Sequence, residues 1–108
     1  MNRVFIAMSS DNIDKILSGK KTTTVRSQRA SEQIGMFVNE KAITSFGGRD
    51  FLITNKGLLT VKEAGGKEKM IESESFGDNG PKFKQTQNWL NGKGKLCVYE
   101  IKKIDGFI

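Results

Sequence analysis

Short β-branched segments separated by tight glycine turns, with brief helical patterns between them, predict an α+β domain: a small, mostly antiparallel β-barrel with two or three short flanking helices. Three observations carry that prediction. Two apolar runs flank Asn55-Lys56-Gly57, residues 95–104 alternate in a two-residue period, and apolar side chains at one-turn spacing occur only in short stretches. At 108 residues the chain makes one domain, 1–108, large enough for a real core and too small for two.

Residues 3–8 read as a strand, buried at Val4, Phe5, Ile6 and Met8. Ser9, Ser10 and Asp11 offer capping oxygens to a helix carrying Ile13, Ile16 and Leu17 on one side, and Gly19 suits the left-handed residue that closes it. Residues 36–38, 43–46 and 51–54 read as short strands. Asn55-Lys56-Gly57, between Phe51-Leu52-Ile53-Thr54 and Leu58-Leu59-Thr60-Val61, predicts a hairpin, because Gly57 can supply a positive φ. Gly65-Gly66 ends that strand, and residues 67–75 form a short helix around Met70 and Ile71. Asp78-Asn79-Gly80-Pro81 turns into a further helix, with Pro81 near its first position and Phe83, Trp89 and Leu90 inward. Residues 95–104 close the chain as a strand, Cys97, Tyr99 and Ile101 on one face and Leu96, Val98 and Glu100 on the other.

Eighteen Lys and Arg against 12 Asp and Glu give a formal charge of +6, which favours anionic partners such as nucleic acid or a nucleotide; the plainer reading is a solvated basic surface. The absence of histidine removes Ser-His-Asp and Cys-His relays and imidazole metal ligation together. A single cysteine, Cys97, allows no internal disulfide and no thiolate zinc cluster. The chemistry therefore falls to Lys, Arg, Thr, Ser, Tyr, Asp and Glu, with no metal and no organic cofactor expected. No stretch matches a membrane span or a signal peptide, so no membrane partner and a cytoplasmic location are expected.

Function concentrates in Gly19-Lys20-Lys21-Thr22-Thr23-Thr24-Val25-Arg26, which sets two ammonium groups, three hydroxyls and a guanidinium just past a helix end. Lys21 and Thr24 approach each other if the chain turns there, and Thr24 and Arg26 share a face once it becomes extended. An unprotonated lysine is one of the few bases that can activate a threonine hydroxyl without histidine. Arg26 suits an oxyanion or a phosphate, and a carboxylate such as Glu74 can orient the amine or pass a proton. The same motif also reads as a solvated connector leading into a β-branched strand. It is no Walker loop, since the earlier glycine and the Gly-Lys-Thr contiguity are missing.

The order strand, helix ending Ile16-Leu17-Ser18-Gly19, the Lys20-to-Arg26 motif, Gly35, strands, Glu72-Ser73-Glu74-Ser75-Phe76-Gly77, an aromatic helix and a closing strand Val98-Tyr99-Glu100-Ile101 resembles an ASCH domain. That family belongs to the PUA-like superfamily of small β-barrels associated with RNA. In length and motif the chain is similar to the small bacterial N4-acetylcytidine amidohydrolases. Gly35-Met36 stands where the family usually has Gly-Asp, and residues 40–69 carry no matching motif. The resemblance implies a catalytic set of Lys21, Thr24 and Glu74, with Glu72 competing for the acid position.

The expected function is metal-independent hydrolysis of an N4-acylated cytidine-like nucleoside. The alternatives are a non-catalytic RNA or modified-nucleobase binding module and a metal-independent ribonuclease. Lys20, Thr22, Arg26 and Tyr99 are candidate substrate contacts, although Tyr99 equally suits packing. Arg29, Lys82, Lys84, Lys93 and Lys95 are candidate nucleic-acid contacts, or simply a solvated face.

Overall fold

A computed structural model describes residues 1–104, in the order α1 (Ser10–Leu17), β1 (Thr23–Arg26), α2 (Gln28–Ile34), β2 (Lys41–Phe46), β3 (Arg49–Leu59), α3 (Lys67–Glu74), α4 (Lys84–Leu90) and β4 (Leu96–Lys103). The four strands form one antiparallel sheet in the order β1-β4-β3-β2. The α+β class is as expected. The sheet is open, with β1 and β2 at its edges, and among the described residues it does not close into the expected barrel.

The alternation in β4 explains the layering. Cys97, Tyr99 and Ile101 join one apolar cluster with Ile53, Phe51, Phe46 and Ala42, covered by Ile6 and by Ile16 of α1. Leu96 and Val98 join a second cluster on the opposite face, with Met70 of α3 and Trp89 and Leu90 of α4. With cover on both faces, the strand carries apolar residues at five of its first six positions rather than at alternate ones.

Several expected elements differ. Residues 3–8 do not pair as a strand beyond a single bridge between Arg3 and Ile43, where the Val4 N–H donates to the Ile43 carbonyl at 2.9 Å. The segment keeps a two-residue period as it leaves the sheet edge, so Ile6 is buried while Phe5 is 81% exposed. Residues 36–38 form no strand; they follow α2, a helix that lacks an apolar stripe but starts at the Ser27 hydroxyl, which accepts the Ala30 N–H, and stops at left-handed Gly35.

The hairpin lies elsewhere too. Gly47 and Gly48, both with positive φ, reverse the chain between β2 and β3. Asn55-Lys56-Gly57 is instead a bulge within β3, where the Asn55 side-chain oxygen accepts the Gly57 N–H at 2.8 Å and both flanks go on pairing with β4. Finally, α4 begins at Lys84 rather than at Pro81, which leaves Phe83 exposed outside the core. Trp89 is buried as expected, its indole N–H donating to the Leu59 carbonyl at 2.9 Å.

Candidate functional site

The site forms where the end of α1, the edge strand β1 and the last turn of α3 meet. The Ser9 hydroxyl caps α1, and beyond left-handed Gly19 the N–H groups of Lys20 and Lys21 both donate to the Lys15 carbonyl, at 2.9 and 3.0 Å. That turn sends the Lys21 side chain inward. Thr22 then bridges two elements through its main chain: its N–H donates to the Ser73 carbonyl at 2.8 Å and its carbonyl accepts the Ile101 N–H at 2.9 Å. The otherwise open edge of β1 is thereby covered by the end of α3, and the Thr23 and Ser73 hydroxyls share a hydrogen bond of 2.8 Å.

At that junction Lys21 and Glu74, 4% and 3% exposed, form a buried ion pair; Lys21 Nζ also donates to the Glu74 carbonyl at 3.3 Å. Glu72 lies on the exposed side of the same helix, so Glu74 is the carboxylate that meets Lys21. Thr24 is 3% exposed and pairs in register with Tyr99, while Arg26 pairs with Cys97. Thr24 and Arg26 therefore project from one face of the strand, as their spacing predicts. Arg26 Nη2 donates to the Ala7 carbonyl at 2.8 Å.

Burial governs the electrostatics. It pulls the Lys21 amine below its ordinary range against the opposing pull of Glu74, and the positive charges of Arg26 and Lys15 act in the same direction as burial. It pushes the Glu74 carboxyl up, although Lys21, the Val25 main-chain N–H and Arg26 hold it back. Both shifts favour the neutral forms, which leaves a proton that the pair can hold between amine and carboxyl. Among the described residues, Arg26 Nε is buried with no hydrogen-bond partner, while the Glu74 carboxyl faces the Val25 main-chain N–H as well as Lys21.

Lys20 and Thr22, expected at the substrate, are exposed on the turn. Tyr99 is wholly buried, with its hydroxyl 2.5 Å from the Ser31 hydroxyl and its pKa pushed up to about 12 by burial, so it packs the sheet to α2. Arg29 is exposed on α2, and Lys82, Lys84, Lys93 and Lys95 are exposed around the two ends of α4. A groove of about 420 Å³ runs between α3 and α4, lined by Ile71, Phe76, Pro81 and Leu90, and does not include the Lys21–Glu74 pair. Among the described residues no cluster of His, Cys, Asp or Glu could hold a metal ion, and no helix is long and apolar enough to cross a membrane.

Comparison with protein-family models, curated proteins and solved structures finds no match to this chain. The residues themselves therefore carry the functional reading. Sequence reasoning missed Lys15, whose carbonyl and ammonium both reach the site, and Ser73, which holds Thr22 and Thr23; each belongs to an element whose partner lies far along the chain. A lysine in the last turn of a helix, where it favours the carbonyl end, is the one local signal for Lys15.

Proposed function

We propose that the protein is a metal-independent amidohydrolase acting on an N4-acylated cytidine-like nucleoside, the activity that the ASCH resemblance implies. The observation that carries this reading is the buried Lys21–Glu74 pair at the edge that bears Thr24, with an unpartnered donor on Arg26. In the neutral form favoured by burial, the Lys21 amine takes the Thr24 hydroxyl proton as Oγ1 attacks the acyl carbonyl carbon. Arg26 stabilises the resulting oxyanion. Collapse breaks the carbon–N4 bond, and a proton held by the pair goes to the leaving N4 amine; water then hydrolyses the acyl-threonine to release the carboxylic acid.

The test is turnover of a panel of N4-acyl cytidines by the native protein and by Thr24→Ala. The native protein should release cytidine, and the variant should melt like the native protein and release none. Turnover retained in Thr24→Ala, or absent from the native protein across the panel, rejects the proposal.

A second reading, an RNA-binding module, draws on one observation: Phe83 is 74% exposed between Lys82 and Lys84. An exposed ring flanked by cations suits a base stacked beside its phosphates. On this reading single-stranded RNA affinity falls steeply as salt rises, whereas turnover of an uncharged nucleoside barely responds.

A further inference from the structure

We propose that Lys15, on α1, is the positioning residue of the Lys21–Glu74 site, tying the turn that carries the amine to the end of the helix that carries the carboxylate. The proposal rests on the reading of Lys21 as the base of an amidohydrolase. Its geometry stands on contacts at two ends of one residue. The Lys15 carbonyl accepts the N–H groups of Lys20 and Lys21, at 2.9 and 3.0 Å, which fixes the start of the turn from which the Lys21 side chain enters the interior. The Lys15 ammonium donates to the Ser75 carbonyl at 2.7 Å, across 60 residues of sequence.

Ser75 directly follows Glu74, and its left-handed conformation, φ 57°, ends α3. A cation at that point also complements the partial negative charge at the carbonyl end of the helix. Lys20, the neighbouring lysine, is exposed on the turn. Lys15 is half-buried and ties the backbone beside the amine to the backbone beside the carboxylate.

Three charged groups act on the Lys21 amine: Glu74 from α3, Arg26 from β1 and Lys15 from α1. Glu74 favours the ammonium form, whereas the two cations disfavour it. Arg26 is held by the Ala7 carbonyl and is assigned to the oxyanion, so Lys15 is the cation whose charge can be altered without touching the reacting atoms.

The experiment follows the Lys21 amine by NMR titration of protein carrying carbon-13 at the lysine side chains, its signal assigned with Lys21→Arg. Two variants are compared with the native protein. Lys15→Gln removes the charge while keeping a donor, and Lys15→Arg keeps both. The Lys21 titration should move to higher pH in Lys15→Gln and stay near its native position in Lys15→Arg. The acid limb of the pH profile of kcat/KM for N4-acetylcytidine should move with it, with a severalfold loss at neutral pH for Lys15→Gln alone. If glutamine does not sustain the fold, Lys15→Met, which is also uncharged and keeps an apolar stem, carries the comparison of charge.

A native Lys21 titration in the folded neutral variant overturns the proposal, as does an equal shift in Lys15→Arg. The titration needs no substrate. A native protein that turns over no N4-acyl cytidine therefore rejects the amidohydrolase reading while leaving Lys15 to be judged on the NMR result.

Discussion

Each edge of the sheet carries an ion pair, and the two pairs differ in almost everything except charge. At the β2 end, Arg3 meets Asp50 with hydrogen bonds of 3.0 and 2.6 Å, but their side chains are 63% and 42% exposed. At the β1 edge, Lys21 meets Glu74 with both side chains shielded from solvent. Water screens the first pair, and fixing the long Arg3 side chain costs entropy, so it contributes little. The second has lost its hydration, and a replacement by apolar residues of similar volume would serve the fold at least as well. A sheet edge can be protected without buried charge, as the β2 edge is by the bridge from Arg3. The charges at the β1 edge therefore call for a reason other than folding.

The largest effect should come from breaking the buried pair on one side. Glu74→Ala leaves the Lys21 amine enclosed without its partner, and equilibrium denaturation should show a loss of roughly 3–5 kcal/mol. A loss too small to resolve would mean that this edge opens to water as freely as the other.

Removing both charges should reverse the sign. Lys21→Met/Glu74→Leu should be as stable as the native protein or up to about 4 kcal/mol more so, while losing all turnover. Its advantage should depend on pH. The raised Glu74 pKa means that the native state binds more protons than the unfolded chain above the ordinary value of 4.5, so native stability falls as pH rises through that window. The lowered Lys21 pKa means that the unfolded chain binds more protons below 10.5, so native stability recovers as pH approaches that value. The double variant should therefore outlast the native protein most clearly at neutral pH. An advantage that is flat from pH 5 to pH 10 would contradict the shifts.

The smallest effect belongs to the solvent-exposed pair. Asp50→Asn should shift the melting temperature only slightly, and the difference should vanish in high salt. Arg3 holds the Asp50 carboxyl below its ordinary range by a side-chain hydrogen bond, so whatever the pair contributes is present above that range and lost as pH falls through the lowered value. A large, salt-insensitive loss would make the two edges alike.

Local chemistry made much of this legible. Ser9 and Gly19 bracket α1, the alternation in β4 divides the two cores, and the two-residue spacing of Thr24 and Arg26 places them on one face. Two segments offer the same local signal: both Gly47-Gly48 and Asn55-Lys56-Gly57 can turn a chain, and only the pairing of both β3 flanks with β4 makes the second a bulge. The helix α2 is the opposite case, since Ser27 and Gly35 mark its ends but no apolar stripe lies between them.

The sequence by itself determined the inventory of chemistry: no histidine, one cysteine, and a lysine, threonine and arginine within one short motif. It also determined most of the strands and helices, because capping, periodicity and glycine conformations act over a few residues. Only the tertiary structure decided that Glu74 rather than Glu72 meets Lys21, that Lys15 reaches Ser75, and that Phe83 faces solvent. The first two outcomes depend on how the end of α3 docks against residues 50 to 60 positions away in the chain, and the third on where α4 begins. Docking of that kind is set by the burial of whole faces, a sum over many distant side chains that no local window contains.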